Sequence, residues 1–267
     1  EMDIDATREE ININVLGVNH FTWITEAKYK NLDLFPIYRK FAESHAESGF
    51  GKPVDDNWIN RQWARNEKVK MNLFLRYGYI AAAGDRHLAE FCPGKWYLES
   101  PESAYKDWGF GLTSVKWRKE ELARRLERSN ALAEGRGTCK IEKTGEEGVH
   151  QMRALLGLTK LVTNVNIPNR GQIPNLPFGA VVETNAVFTA DSVKPVFAGN
   201  VPEEIYLLVS RNAGAQVLIT EGGLKRDLSL VFDAFCHDPL VTTSLSDTKK
   251  LFNEMLDNTK EYIKMYF

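Results

Sequence analysis

Two short runs in this chain carry side chains able to do chemistry together. Gly17-Val18-Asn19-His20-Phe21-Thr22-Trp23 sets an amide beside an imidazole where an apolar stretch (Ile11, Ile13, Val15, Leu16) gives way to loop. Gly84-Asp85-Arg86-His87-Leu88-Ala89-Glu90-Phe91 packs two acids, a guanidinium and a second imidazole into six residues. A neutral imidazole is a common ligand for divalent transition metals, so Asn19-His20 is a candidate part of a metal site. The competing reading of His20 is a structural histidine satisfied by its own hydrogen bonds. Asp85 and Glu90 are candidates for a general base and a structural acid; their competing reading is a turn salt-bridged through Arg86. Polar tips at strand ends and tight turns reach a cleft while the backbone stays anchored, so the two runs read as one wall of an active site.

The elements that must position them follow from periodicity. Residues 11–27 alternate apolar and polar positions as a half-buried strand does. Helices are expected from Asn31 to about Ala46 and from Asp55 to about Arg76, the second drawing on Trp58, Trp63, Val69 and Phe74. Tyr77-Gly78-Tyr79 and the small residues Ala81–Gly84 then permit close backbone approach ahead of Asp85. A charged helix from about Val115 to Glu134 carries Glu120/Arg124 and Glu121/Arg125 in the favourable i,i+4 order. A helix over 146–159 and a buried strand over Leu161–Val165 precede a loop, Asn166–Pro177, rich in Asn, Pro and Gly. Ala180–Thr184 reads as a strand, and Pro202 as the first residue of a helix with Glu203 and Glu204 in its first turn. Further helices are expected to about Leu218, from about Leu224 to Cys236, and from about Asp247 onward. The Phe252, Met255/Leu256, Thr259, Ile263 and Tyr266 stripe has core spacing, with a partner interface as the secondary reading.

Bulk composition excludes several classes. A formal charge of -2 over 267 residues, without a basic block, argues against nucleic acid or an anionic membrane surface as partner. No apolar run approaches the length of a membrane span. Three widely spaced cysteines (Cys92, Cys139, Cys236) make neither a disulfide framework nor a CxxC site, which fits a reducing compartment such as the cytoplasm. His45 and His150 sit in charged, surface-like contexts. Cys236-His237 is adjacent rather than helically spaced, so it reads as a helix end instead of a catalytic pair. There is no GxGxxG after a strand, no Walker loop, no GxSxG and no HExxH. Residue by residue, the chain is a mixed α/β domain with one polar cleft and an opening for metal assistance.

The two runs, with Cys92-Pro93 after the second, resemble the family-4 glycoside hydrolases. The loop Asn166–Pro177, the strand Ala180–Glu183 and Phe235-Cys236-His237-Asp238-Pro239-Leu240 are similar to that family's later landmarks in the same order, so the likeness spans nearly the whole chain. The GDRHLAEF form is most similar to the α-galacturonidase branch. The resemblance implies an α+β fold like the C-terminal domain of lactate and malate dehydrogenases. It also implies that residues 1–267 are the substrate and metal side, with a Rossmann domain and a metal-ligating cysteine expected before residue 1. The implied cofactors are NAD, held mainly by that other domain, and Mn2+ or another divalent metal.

The implied reaction departs from the two-carboxylate scheme. A hydride leaves sugar C3 for NAD, a base takes the acidified C2 proton, the C1 leaving group is eliminated, water adds, and the ketone is reduced again. By position, His20 would ligate the metal, with Asn19 beside it and the sugar hydroxyls. Asp85 would be the base or its close support, with Tyr79 the competitor, since the phospho-glycosidase branch uses a tyrosine. Arg86 would pair with a uronate carboxylate. His87 and Glu90 would stand behind these groups, and Asn169 and Arg170 would line the cleft. The expected partners are a small carbohydrate and further copies of the chain. Two other readings stay open: a non-catalytic binding or oligomerisation module derived from the same fold, and a dehydrogenase-like enzyme oxidising a different substrate.

Overall fold

The computed structural model describes residues 6–7, 10–50, 66–142 and 146–266. At its centre β1 (Ile11–Val18) and β2 (Phe21–Tyr29) form an antiparallel hairpin, paired from Val18 with Phe21 back to Ile11 with Tyr29. The half-buried alternation foreseen for this stretch is not seen: at the outer end Ile11, Asn12 and Ile13 are all exposed. Val15, Leu16, Val18, Phe21, Thr22 and Trp23 are all buried. Consecutive side chains point to opposite faces, so the turn-proximal half of the hairpin is covered on both sides.

Gly17 is required by this closeness, because a Cβ there would stand 2.6 Å from the Thr22 Cα. The turn residues Asn19 and His20 both have positive φ (39° and 52°), as a two-residue type I′ hairpin turn demands. Asn and His are among the few side chains enriched in that left-handed region.

The sheet grows outward from this hairpin. On the β1 side come β6 (Val181–Thr189), through Leu16–Thr184 and Gly17–Glu183, and then β5 (Leu161–Pro168), paired with β6 over its whole length. On the β2 side lie β3 (Leu32–Asp33) and β4 (Ile80–Ala81), while β7 (Ser192–Pro195) folds back on β6. The order is β3-β2-β1-β6-β5 and every pairing is antiparallel. With helices between and beyond the strands, this is the α+β class that the family resemblance implies.

The helices are α1 (Phe35–His45), α2 (Lys68–Tyr77), α3 (Asp85–Phe91), α4 (Pro101–Lys106), α5 (Val115–Ala133), α6 (Gly148–Leu155), α7 (Glu203–Lys225), α8 (Leu228–Cys236) and α9 (Leu245–Thr259). Ile205, Leu208, Val209, Asn212 and Ala213 form the buried face of α7, at helical spacing against the hairpin core.

Several boundaries differ from the sequence expectation. The predicted helix over 55–76 is seen only as α2, its earlier part lying outside the described residues. Asp85–Phe91 is a helix and not a turn, since Leu88 and Ala89 bury its inner face. β5 continues to Pro168 because β6 pairs with it throughout, and α7 runs unbroken to Lys225, with Pro202 at its N-cap. His45 is half-buried, stacked on Phe41 at 4.3 Å. Cys236 does end a helix, with His237 as its C-cap. In α9 only Phe252 of the stripe is buried, against Phe232 and Phe235, while Met255 is exposed.

Candidate active site

The antiparallel register gathers one set of loops at one end of the sheet. β1 ends and β2 begins there at the Asn19-His20 turn. β6 begins there at Val181 and β5 ends there at Pro168. β4 runs antiparallel to β2, with Trp23 opposite Ala81 and the Ala82 N–H donating to the Thr22 carbonyl at 2.9 Å, so the chain leaves β4 toward the same end and enters α3. Asn19, His20, the first turns of α3 and the 169–180 loop therefore share one rim.

Within that rim the closest relation is between two imidazoles. The rings of His20 and His87 are stacked, with centroids 4.9 Å apart and planes 11° from parallel. His20 is exposed and His87 half-buried. Burial, then the neighbouring His20 and Arg86, hold the His87 imidazole below its ordinary pKa, against the pull of Glu90. Arg86 projects from the next position on α3 and donates to the Thr113 hydroxyl. Glu90 is half-buried one turn further on. Thr113 has no sequence signal; only the fold brings it 27 residues back to Arg86.

Asp85 has a different place from that of a general base. It has no exposed surface, and its Oδ1 accepts the Lys70 N–H at 3.1 Å, closing the open N-terminus of α2, whose own N-cap residue Glu67 makes no side-chain cap bond. Its Oδ2 is buried without a hydrogen-bond partner. Burial pushes the carboxyl up to about 7, with Glu67 adding to it and the N–H groups of Lys70 and Val69 and the Lys70 ammonium opposing. A carboxyl sealed in this way supports α2 and α3 beneath the rim and does not reach a ligand.

Asn169 is likewise corrected from cleft to scaffold. It is 2% exposed, its Nδ2 donates to the carbonyls of Ile173, Leu176 and Pro177, and its Oδ1 accepts from Gly171 and Ile173. Every bond of the amide is used inside the loop. Arg170 beside it is exposed, its backbone N–H held by Gln172 at 2.7 Å.

Tyr79 is half-buried at the bend before β4 and packs against the hairpin core. Burial, and Glu204 after it, push its phenol above its ordinary pKa, which disfavours the deprotonated form a base needs.

Two features were not legible beforehand. A groove of about 230 Å³ opens between Phe178–Val181 and the Gln216–Glu221 part of α7, its edge formed by the strongly exposed Phe178. Cys92 is buried between α3 and the Arg211 and Arg76 side chains, and burial pushes its thiol up to about 12, an unreactive state.

A metal was expected at His20, and the residues fit that role in part. The imidazole is exposed and carries no hydrogen bond among the described residues, so a ring nitrogen is open to a cation. Among those residues no group of three His, Cys, Asp or Glu side chains comes together, so further donors would have to come from elsewhere. No described helix is long and apolar enough to cross a membrane.

Comparison with known proteins identifies the family of the whole chain. The profile described as the family 4 glycosyl hydrolase C-terminal domain matches residues 15–241. An α-galacturonidase of Thermoanaerobacterium saccharolyticum is 57% identical over 259 residues, covering 97% of this chain and 56% of that protein. An α-galacturonidase of Bacillus subtilis is 46% identical over 93% of this chain and 54% of its own length. The crystal structure of lplD from Bacillus subtilis superposes with a TM-score of 0.83 at 46% identity, over 93% of this chain and 56% of that one. A 6-phospho-α-glucosidase from gut microorganisms, solved with NAD and Mn2+, shares the fold at a TM-score of 0.69 and 14% identity, over 96% of this chain and 56% of that one. The chain thus spans a little over half the length of the relatives it matches.

Proposed function

The chain belongs to the family 4 glycosyl hydrolases through their C-terminal domain, and from that premise we propose that it forms the substrate and metal side of an NAD- and divalent-metal-dependent α-galacturonidase. The observation that carries this reading is the 57% identity to an α-galacturonidase over 97% of the chain. The converging rim of His20, Asn19, Arg86 and the 169–180 loop supports it from the geometry. A C-terminal domain like that of lactate and malate dehydrogenases is the finer fold assignment we adopt, supported by the antiparallel sheet crossed by a long helix.

When bound, NAD supplies a hydride acceptor and donor for sugar C3, and the divalent cation supplies Lewis-acid stabilisation where negative charge develops. The chain's own residues do the positioning. His20 offers an imidazole nitrogen from the exposed turn, and Asn19 offers its amide to a sugar hydroxyl. Arg86, steadied by Thr113, presents a guanidinium whose planar fork matches a uronate carboxylate, and Arg170 adds positive charge from the loop. His87 and Glu90 back the rim from α3. Asp85 and Asn169 hold α2, α3 and the loop in register beneath it. The C2 base is left to a group outside these residues. The three free cysteines support a reducing, cytoplasmic setting, and the exposed apolar side chains of α5 and α9 support assembly with further copies.

The test joins this chain to the N-terminal portion of the Thermoanaerobacterium relative and assays an α-galacturonide with NAD and Mn2+ each added or withheld. We expect hydrolysis that needs both and that His20→Ala abolishes. Hydrolysis unaffected by chelator and by removal of NAD defeats the proposal. Turnover of an α-galactoside but not the galacturonide would remove Arg86 as the uronate contact.

A further inference from the structure

We propose that His87 is a positioning residue that fixes the orientation of the His20 imidazole, an inference that rests on His20 being a metal ligand. Metal-ligating histidines are ordinarily oriented by a hydrogen bond from the second ring nitrogen to a carboxylate, carbonyl or water. His20 has no such bond among the described residues. It stands exposed at a two-residue turn, on a left-handed backbone position that sets its Cα but leaves its ring free to rotate. Its ring contact is the parallel stack on His87 at 4.9 Å. His87, in contrast, projects from a helix whose next two residues, Leu88 and Ala89, are fully buried. The rigid element therefore orients the loose one.

The geometry also says what His87 is not. A ring nitrogen directs its lone pair within the ring plane. Two imidazoles stacked within 11° of parallel send their lone pairs along near-parallel planes, and a shared cation would have to leave the plane of at least one ring. The stack covers a face of His20 and leaves its edge, where ligation occurs, open. His87 acts through His20 and not beside it.

The test uses the chain joined to the N-terminal portion of the Thermoanaerobacterium relative, with carbon-13-labelled histidine in this chain's positions, with and without Mn2+ alone as the probe. In the metal-free chain, His87→Ala is expected to move the His20 ring proton signals toward free-histidine positions, because the neighbouring ring current is lost. His87→Phe, which keeps an aromatic face but no ring nitrogen, is expected to restore a displaced position. The His45, His150 and His237 signals staying in place certify that each variant is folded.

With Mn2+, the concentration that broadens the His20 signals should rise about tenfold in His87→Ala, the lower range for losing an orienting partner, and return toward wild type in His87→Phe. Unmoved His20 signals in metal-free His87→Ala would overturn the proposal. Equal loss of Mn2+ binding in both variants would overturn it too, since a His87 nitrogen would then be needed directly. Mn2+ broadening no histidine in the wild-type chain would sink the metal reading of His20, while the metal-free comparison would still decide whether His87 holds it.

Discussion

The hairpin of β1 and β2 and the helix α5 have opposite physics. In the hairpin, Leu16, Val18, Phe21 and Trp23 have no exposed surface. In α5, nineteen residues long, none is buried, and Leu122 and Leu126 are 58% and 54% exposed. What holds α5 is local: the Ser114 hydroxyl accepts the Trp117 N–H at 3.2 Å, and Glu121 pairs with Arg125 at 2.9 Å and also with Arg124. What holds the hairpin is the rest of the molecule, with Phe21 stacked on Phe91 and Trp23 set edge-on to Phe21 and Tyr77. Candidate chemistry sits at the end of the first region. Precise placement of a side chain needs neighbours that cannot move; the hairpin and α3, with Leu88 and Ala89 buried, have them, and α5 does not.

The contrast is broken most severely in the hairpin. Trp23→Ala should cost about 3–5 kcal/mol, the range for emptying a fully buried aromatic site, read as the shift in a urea denaturation midpoint. Trp23→Phe should cost much less, because its buried Nε1 has no hydrogen-bond partner and the smaller ring removes that orphan donor. If the two variants were equally damaging, packing would not be what sets the hairpin.

Asn169→Ala comes next. It leaves three carbonyls and two N–H groups of the 169–180 loop without the amide that joins them, and should cost about 2–3 kcal/mol. Asn169→Asp, which cannot donate, should recover little of it. A midpoint unchanged by either would mean that the loop is held by other contacts.

The same contrast explains what could be read beforehand. The bounds of α5 were legible almost to the residue, because its i,i+4 pairs are local facts. The strand end at Asn19-His20 was legible, but its hairpin geometry depends on two left-handed residues and on Gly17 tolerating the Thr22 backbone at 2.6 Å. Asp85, read as the base or its close support, is placed as a buried support, and Asn169, read as lining the cleft, is buried inside the loop. Burial decides that, and burial belongs to α2, α3 and the loop together. His87 beside His20, and Thr113 beside Arg86, are separated by 67 and 27 positions. No periodicity encodes such meetings.

Asp85 sharpens the comparison through pH. Its carboxyl releases a proton near 3.8 in the unfolded chain and at about 7 in the folded one. Between those values the native state binds more protons than the unfolded, so this contribution to stability is full below about pH 4 and is lost as pH rises through 7. Asp85→Asn keeps an oxygen for the Lys70 N–H and cannot ionise. Its stability relative to wild type should therefore rise between pH 5 and pH 8, by on the order of 2 kcal/mol. Thermal melts of both proteins at the two pH values measure it. A constant difference would show that the carboxyl titrates as it does in water, and that the hairpin side of the molecule is less sealed than its burial says.

The smallest effect belongs to α5. The double change Leu122→Ala and Leu126→Ala removes apolar surface that is already in water, and should alter stability by no more than about 0.5 kcal/mol. Because most helical stability comes from a packed face, which α5 lacks, its amides should also exchange with deuterium well before those of β1 and β2. A double variant as damaging as Asn169→Ala, or slow exchange in α5 that becomes fast on dilution, would mean that this face is covered in solution. The difference between the two regions would then lie in which molecule supplies the neighbours, and no longer in whether neighbours exist.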